Sequence, residues 1–390
     1  MCDIMFRSIC CTILGSALVI SGQLSAEEKP YEMPRDTITL TKPAKLLNVV
    51  YFLGKDMEPV PDFEKRLSEL LLHLQQFYGK EMARHGYGPR SFGLDMKSPD
   101  RVNIIVYKAK NPASFYPYEN GGGHKAAMEM NEYFKAHPAK KKSDHTLFIM
   151  PTWNDDKNSD TNPGGVPFYG MGRNCFALDY PAFDIKHMGK QTHEGRLLTK
   201  WYGGLAHELG HGLNLPHNHS TTSDGKKYGT ALMGAGNYTF GSSPTYLTPA
   251  SCALLDTCEV FTTKVSQKFY QGDSDVKVKD ISISFKGDTI SMTGSYDSKQ
   301  PVKALNVYFQ DPPYAVNQDY DAVSFSFPLG KKKGQFSASV DKKELDGLKD
   351  NTFQIELMFV LANGNRFSKK VEFKWDALQD YRDTEKEKAR

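Results

Sequence analysis

Two hydrophobic rhythms divide the chain. Between residues 46 and 260, short continuous apolar runs alternate with stretches whose apolar positions step by threes and fours. These are the periods of buried strands and of amphipathic helices. The run 46–53 (LLNVVYFL) predicts a strand, rich in β-branched and aromatic residues. Residues 62–82 predict a helix that gathers Phe63, Leu67, Leu70, Leu71, Leu74, Phe77, Tyr78 and Met82 on one face, with Gly86 and Gly88 ending it. Strands are expected over 101–107, 145–150 and 175–180, and a helix over 125–137 that stops at Pro138. A further helix opens near 195–199. Another opens at Thr248-Pro249, an N-cap followed by proline at the first helical position, and runs to about residue 260.

From about residue 276 the rhythm changes to strict alternation. Seven short strands are expected, over 278–285, 289–295, 302–309, 322–327, 335–340, 353–361 and 365–375, with turn residues between them. That series predicts a β-sandwich, immunoglobulin-like or fibronectin-like, although no Cys–Trp–Cys pattern accompanies it. The expected fold class is therefore α+β: an α/β layer at 27–270, an all-β accessory domain at 271–376, and a charged tail at 377–390.

The first 26 residues change the picture in another way. Arg7 precedes an apolar run from Ile9 to Ile20, and Leu24-Ser25-Ala26 offers a small-residue cleavage site. The apolar run is too short for an ordinary membrane span. The expectation is an exported protein, secreted or periplasmic, with no integral membrane segment. Cleavage removes one acid (Asp3) and one base (Arg7), so the net charge stays at +3, which is not the footprint of a nucleic-acid binder. Of six cysteines, three leave with the signal, and Cys175, Cys252 and Cys258 remain. An odd count in an exported chain allows one disulfide and one free thiol. Cys252 with Cys258 is the simplest pair, and Cys175 with either is the alternative.

The chemistry concentrates in the run His207-Glu208-Leu209-Gly210-His211-Gly212-Leu213-Asn214-Leu215-Pro216-His217. On a helix, residues four apart lie on one face about 6 Å apart along the axis. His207 and His211 therefore converge on one ion, and Glu208 lies beside them. Neutral imidazoles suit Zn²⁺, whose catalytic sites take three protein ligands and leave a fourth position for water. For His217 to supply the third ligand, the chain must leave the helix sharply after His211. Asn214 sits where that turn falls, and asparagine tolerates the left-handed conformation that ends many helices. Pro216 prevents the helix from continuing. His219 is a spare histidine whose spacing is wrong for the third ligand.

This run resembles the metzincin zinc signature HExxHxxGxxH, with Asn214 where that family has glycine. Ala231-Leu232-Met233-Gly234 resembles the family's Met-turn, the apolar floor beneath the zinc ligands. Stretches at 77–92, 145–153 and 167–180 are also similar to a group of secreted zinc metallopeptidases. The resemblance implies a zincin fold, one catalytic Zn²⁺ on His207, His211 and His217, and structural roles for Met233 and Asn214. It also implies a metalloendopeptidase that hydrolyses a protein or peptide substrate through zinc-activated water, with Glu208 as general base.

Other readings are narrower. Residues 174–180 are read as either an exposed edge strand that receives substrate by β-augmentation or an internal strand. Tyr238, five residues past Met233, is read first as a packed aromatic, with polarising the substrate carbonyl or lining the specificity pocket as the alternatives. Asp156, Asn158 and Asp160 alternate as in a calcium loop, but Thr161 replaces the required glycine and no distal glutamate follows, so Ca²⁺ is not predicted. Two competitors to the peptidase remain. One is a degraded zincin that binds an extracellular surface or glycan through its β-sandwich, and the other is a zinc hydrolase of non-peptide amides.

Overall fold

Elements form where the pattern places them, and the differences are informative. The computed structural model describes residues 33–34, 36–153, 164–272, 274–311, 320–345, 352–374 and 381–383. The expected signal segment, the Asp156–Asn158–Asp160 loop and most of the charged tail lie outside the described residues. In chain order come β1 (Leu46–Leu53), α1 (Phe63–Arg84), β2 (Ile105–Lys108), α2 (Gly122–Ala136), β3 (Thr146–Pro151), β4 (Tyr169–Met171), β5 (Asn174–Asp179) and α3 (His193–Gly212). Two short helices follow, α4 (Thr222–Tyr228) and α5 (Pro249–Asp256). Asn103 and Ile104 interrupt the strand expected over 101–107, so that only its second half, β2, pairs with β1. Thr248 caps α5, its Oγ1 accepting from Ser251 N at 3.2 Å, as the Thr-Pro pair predicts.

Strands β2, β1, β3 and β5 run parallel, and β4 closes the sheet as an antiparallel edge. Strand β5 is thus internal, flanked on both sides. The edge-strand reading of 174–180 is corrected: the edge beside the cleft is β4. Buried leucines of α1 cover one face of this sheet. A buried fork ties helix to sheet: Arg66 donates to both oxygens of Asp179 at 2.8 and 3.2 Å, and Tyr51 Oη donates to Oδ2 at 2.7 Å. Helix α3 packs along β5 and β4.

The second half departs further from the pattern. Two pairs of expected strands are continuous: β7 (Thr289–Gln310) and β8 (Val323–Asp341) are long, and with β6 (Val276–Lys286), β9 (Thr352–Leu361), β10 (Arg366–Lys374) and β11 (Tyr381–Asp383) they build one antiparallel sheet. Strand β7 pairs β6 through its first half and β9 through its second, with a register shift between Asp297 and Val302. Bulges there bend the strand and raise its twist. The sheet curls on itself, so that Ile283 and Met292 of one half share a core with Val307, Phe309 and Ile355 of the other. Alternation reports which face a residue is on and says nothing of where a strand bends, which is why seven short strands were expected. Tyr381–Asp383, inside the expected charged tail, forms a strand that pairs with Ile281–Ile283.

The main core does not stop at the curled sheet. Ala304, Tyr308, Ala322, Met358 and Val360 belong to the same buried cluster as α3 and α5, and Asn306 donates to the Ala250 carbonyl at 2.9 Å. The disulfide that the count allows does not form: Cys175, Cys252 and Cys258 are all free thiols, and all three are buried. No helix among the described residues is long and apolar enough to cross a membrane.

One buried group makes stability depend on pH. His145 is fully buried, and burial lowers its pKa to about 4 from an ordinary 6.5. Below pH 6.5 the unfolded chain takes up a proton that the folded chain refuses, so stability is full above that pH and is lost as pH falls toward 4. We expect this residue alone to cost about 2 kcal/mol between pH 7 and pH 5. Urea denaturation of the wild type and of His145→Gln at both pH values measures it. Equal pH slopes in the two proteins would contradict the assignment.

Candidate active site

Helix α3 begins at Thr192, whose hydroxyl accepts from Gly195 N, and runs twenty residues to Gly212. Its last turn carries His207, Glu208 and His211. The helix ends where Asn214 adopts φ 71, the left-handed conformation its position requires. Leu215 N returns to the Gly210 carbonyl at 2.9 Å and Asn214 N to the His211 carbonyl, closing the turn. The chain then brings His217 against His211. The ligand nitrogens of His207, His211 and His217 lie within 4.8 Å of one another, with 2.9 Å between the Nε2 atoms of His211 and His217.

Each helical imidazole is oriented by a main-chain carbonyl. His207 Nδ1 contacts Leu232 O at 2.7 Å, and His211 Nδ1 contacts Leu215 O at 2.8 Å. A carbonyl only accepts, so both rings carry their proton on Nδ1 and present a bare Nε2 lone pair. His207 Nε2 is buried and has no hydrogen-bond partner, an arrangement that costs free energy unless something fills it. Burial and the neighbouring imidazoles lower the pKa of His207 to about 3 and of His211 to about 4, so both are neutral at pH 7. Nitrogens bound to one tetrahedral zinc lie about 3.3 Å apart, within reach of the spacing here. The three residues fit a single such ion.

The methionine turn lies beneath. A Cβ on Gly210 would sit 2.4 Å from Met233 Sδ, so glycine is what lets the helix rest on that sulfur. Leu232 of the same turn supplies the carbonyl that orients His207, and Asn218 N donates to the Met233 carbonyl at 3.1 Å.

Glu208 is mostly buried, and burial raises its pKa to about 7. Its Oε2 accepts from Gly170 N of β4 at 2.7 Å, and the carboxylate lines the cleft. Gly170 has no substitute here: a Cβ would lie 2.1 Å from the His211 Cβ. The edge strand thus lies directly on the helix that carries the site.

A cleft of about 550 Å³ opens over these residues, lined also by Tyr118, Phe168, Tyr169, Tyr320 and Arg366. Tyr320 precedes β8, and its ring stacks on His217 with centroids 3.7 Å apart and planes at 24°. Arg366 opens β10 and donates to the Asn214 carbonyl at 3.3 Å. The curled sheet therefore forms one wall of the cleft. Sequence reasoning missed these two residues because nothing local marks them; they lie more than one hundred positions from the histidine run. Tyr238, read first as a packed aromatic, is 68 % exposed; burial raises the Tyr320 pKa, with Glu208 and Tyr238 adding to it. His219 stays outside the cluster: its N–H donates to the Ala322 carbonyl at 2.7 Å and its Nδ1 contacts Ser220 O.

No family model matches the chain, and no curated protein matches it. Solved structures do. A catalytically inactive form of OgpA from Akkermansia muciniphila, crystallised in complex with an O-glycopeptide (glycodrosocin) substrate, is 74% identical over 90% of this chain and 98% of its own, with a TM-score of 0.88. Wild-type OgpA from the same organism matches in two further crystal forms. They are 75% and 74% identical over 89% and 90% of this chain, each over 98% of its own length, with TM-scores of 0.88 and 0.87. At that identity, over nearly the whole of the relative, this chain belongs to the family of OgpA.

Proposed function

We propose that this protein is an exported zinc-dependent endopeptidase that cleaves the peptide bond of O-glycosylated peptides. The observation that carries the chemistry is the convergence of three imidazole nitrogens, one of them buried without a partner, beside a carboxylate of raised pKa. The substrate class rests on the relatedness to OgpA, whose inactive form was crystallised with an O-glycopeptide.

His207, His211 and His217 would hold the ion through Nε2. Bound there, Zn²⁺ supplies Lewis acidity: it acidifies water and polarises a carbonyl. The chain's own groups do the rest. Glu208, anchored through Oε2 by Gly170, keeps its other oxygen toward the cleft, where it takes a proton from the attacking water and returns it to the leaving amine. The peptide lies along the open edge of β4. The exposed Tyr118 ring and the Arg366 guanidinium offer a sugar an apolar face and a fork of donors across the cleft. Tyr320 brings a further hydroxyl near Glu208.

Glu208→Gln keeps the hydrogen bond to Gly170 available but removes the base. We expect it to lower glycopeptide cleavage at least about 100-fold with zinc content, read by elemental analysis, unchanged. Cleavage at the wild-type rate would sink the mechanism. Zinc uptake without cleavage of any glycopeptide by the wild type would favour a hydrolase of other amides. Tyr320→Leu removes the ring stacked on His217. A contact of that kind is worth about 0.5–1.5 kcal/mol, so kcat/KM should fall about two- to tenfold. Kinetics unaltered by the change would mean that the curled sheet only walls the cleft.

A further inference from the structure

Tyr270 occupies a crossing point that the reaction chemistry leaves unexplained. It lies between the catalytic part and β6, and it is one of the few non-glycine residues with a left-handed backbone, at φ 56. The turn between β9 and β10 holds it there. Tyr270 N donates to the Asn363 carbonyl at 2.8 Å, and a Cβ on Gly364 would lie 2.4 Å from the tyrosine ring. The Arg173 guanidinium lies over the ring at 4.5 Å.

The hydroxyl at the end of this braced ring is fully used. His145 Nδ1 contacts the Gly212 carbonyl at 2.7 Å and must donate, so His145 Nε2 accepts, and Tyr270 Oη donates to it at 2.7 Å. Its two lone pairs then take Asn214 Nδ2–H at 3.2 Å and Glu259 N–H at 3.1 Å. Arg366, two residues beyond Gly364, donates to the Asn214 carbonyl. One β-turn of the curled sheet therefore holds the end of α3 and the turn after it at three points: Gly212 through His145, the Asn214 side chain through Tyr270, and the Asn214 carbonyl through Arg366. A glycine at 214 would satisfy the backbone equally well but could make no bond to Tyr270.

We propose that Tyr270 is a positioning residue for the metal centre: its hydroxyl, braced by the curled sheet, fixes the Asn214 turn and so sets where His217 meets His207 and His211. The inference rests on the zinc reading above. It assigns the curled sheet a task, and it gives the asparagine at 214 a use beyond its tolerance of positive φ.

Tyr270→Phe removes one oxygen and leaves the ring in place. On the full exported chain, we expect Tyr270→Phe to weaken zinc binding, measured by competition with a chromophoric chelator, about 10- to 100-fold, and to lower kcat on a glycopeptide while KM stays within about twofold. Asn214→Gly should reproduce both changes, and in zinc affinity the double variant should be no worse than either single one, because the effect on the metal centre passes through the one bond that the two residues share. A purely structural role would lower the melting temperature of the metal-free chain and leave zinc affinity at the wild-type value; that result overturns the proposal. Losses that multiply in the double variant overturn it as well. Should Tyr270→Phe fail to fold by circular dichroism, Asn214→Gly reads the same bond from its other end, and wild-type zinc affinity there is equally fatal. A wild-type chain that takes up no zinc overturns the metal reading together with this one, whereas equal loading of wild type and Tyr270→Phe overturns this one alone.

Discussion

The Leu232 and Leu215 carbonyls take the Nδ1 protons of His207 and His211, and much of the molecule is arranged so that they can. An imidazole free to turn would offer either nitrogen, protonated or not. Pinned through Nδ1, each ring offers one bare Nε2 in one direction, and burial keeps it neutral. Leu232 stands in place because the methionine turn packs under α3, which requires Gly210. Leu215 stands in place because Asn214 turns the chain back. Remove either carbonyl and the convergence of three nitrogens is lost, although the helix and the histidines remain.

The supports of that arrangement come from two directions. From one side, the parallel sheet presses β4 onto α3 so closely that only glycine fits at 170, and the same contact anchors Glu208. From the other side, the curled sheet zips His219 to Ala322, lays Tyr320 on His217 and reaches Asn214 through Tyr270 and Arg366. Because the two halves share a buried cluster, these contacts rest on a packed interface. The cleft is therefore assembled from both halves of the chain.

What could be read from residues alone follows the range of the forces involved. Histidines at i and i+4, a left-handed asparagine and a Thr-Pro helix start are local geometry, and their positions along the chain stand where the spacing put them. The strand interiors were legible for the same reason. The continuity of β7 was not, because residues 297–301 (DSKQP) read as a turn, and the register shift there is set by packing between distant strands. The free thiols show the limit of counting: three cysteines permit a pair only where the fold bonds two together, and here all three stay free. Tyr320, Arg366 and Tyr270 carry no local signature, and they acquire a role only when the curled sheet is laid against α3.

The central claim is that His207, His211 and His217 hold one zinc ion through nitrogen. Zinc K-edge absorption spectroscopy on the metal-loaded chain tests it directly. The account predicts three imidazole nitrogens and one oxygen ligand at about 2.0–2.1 Å. A sulfur ligand at about 2.3 Å, which would implicate the buried cysteines, or fewer than three imidazoles, would contradict it.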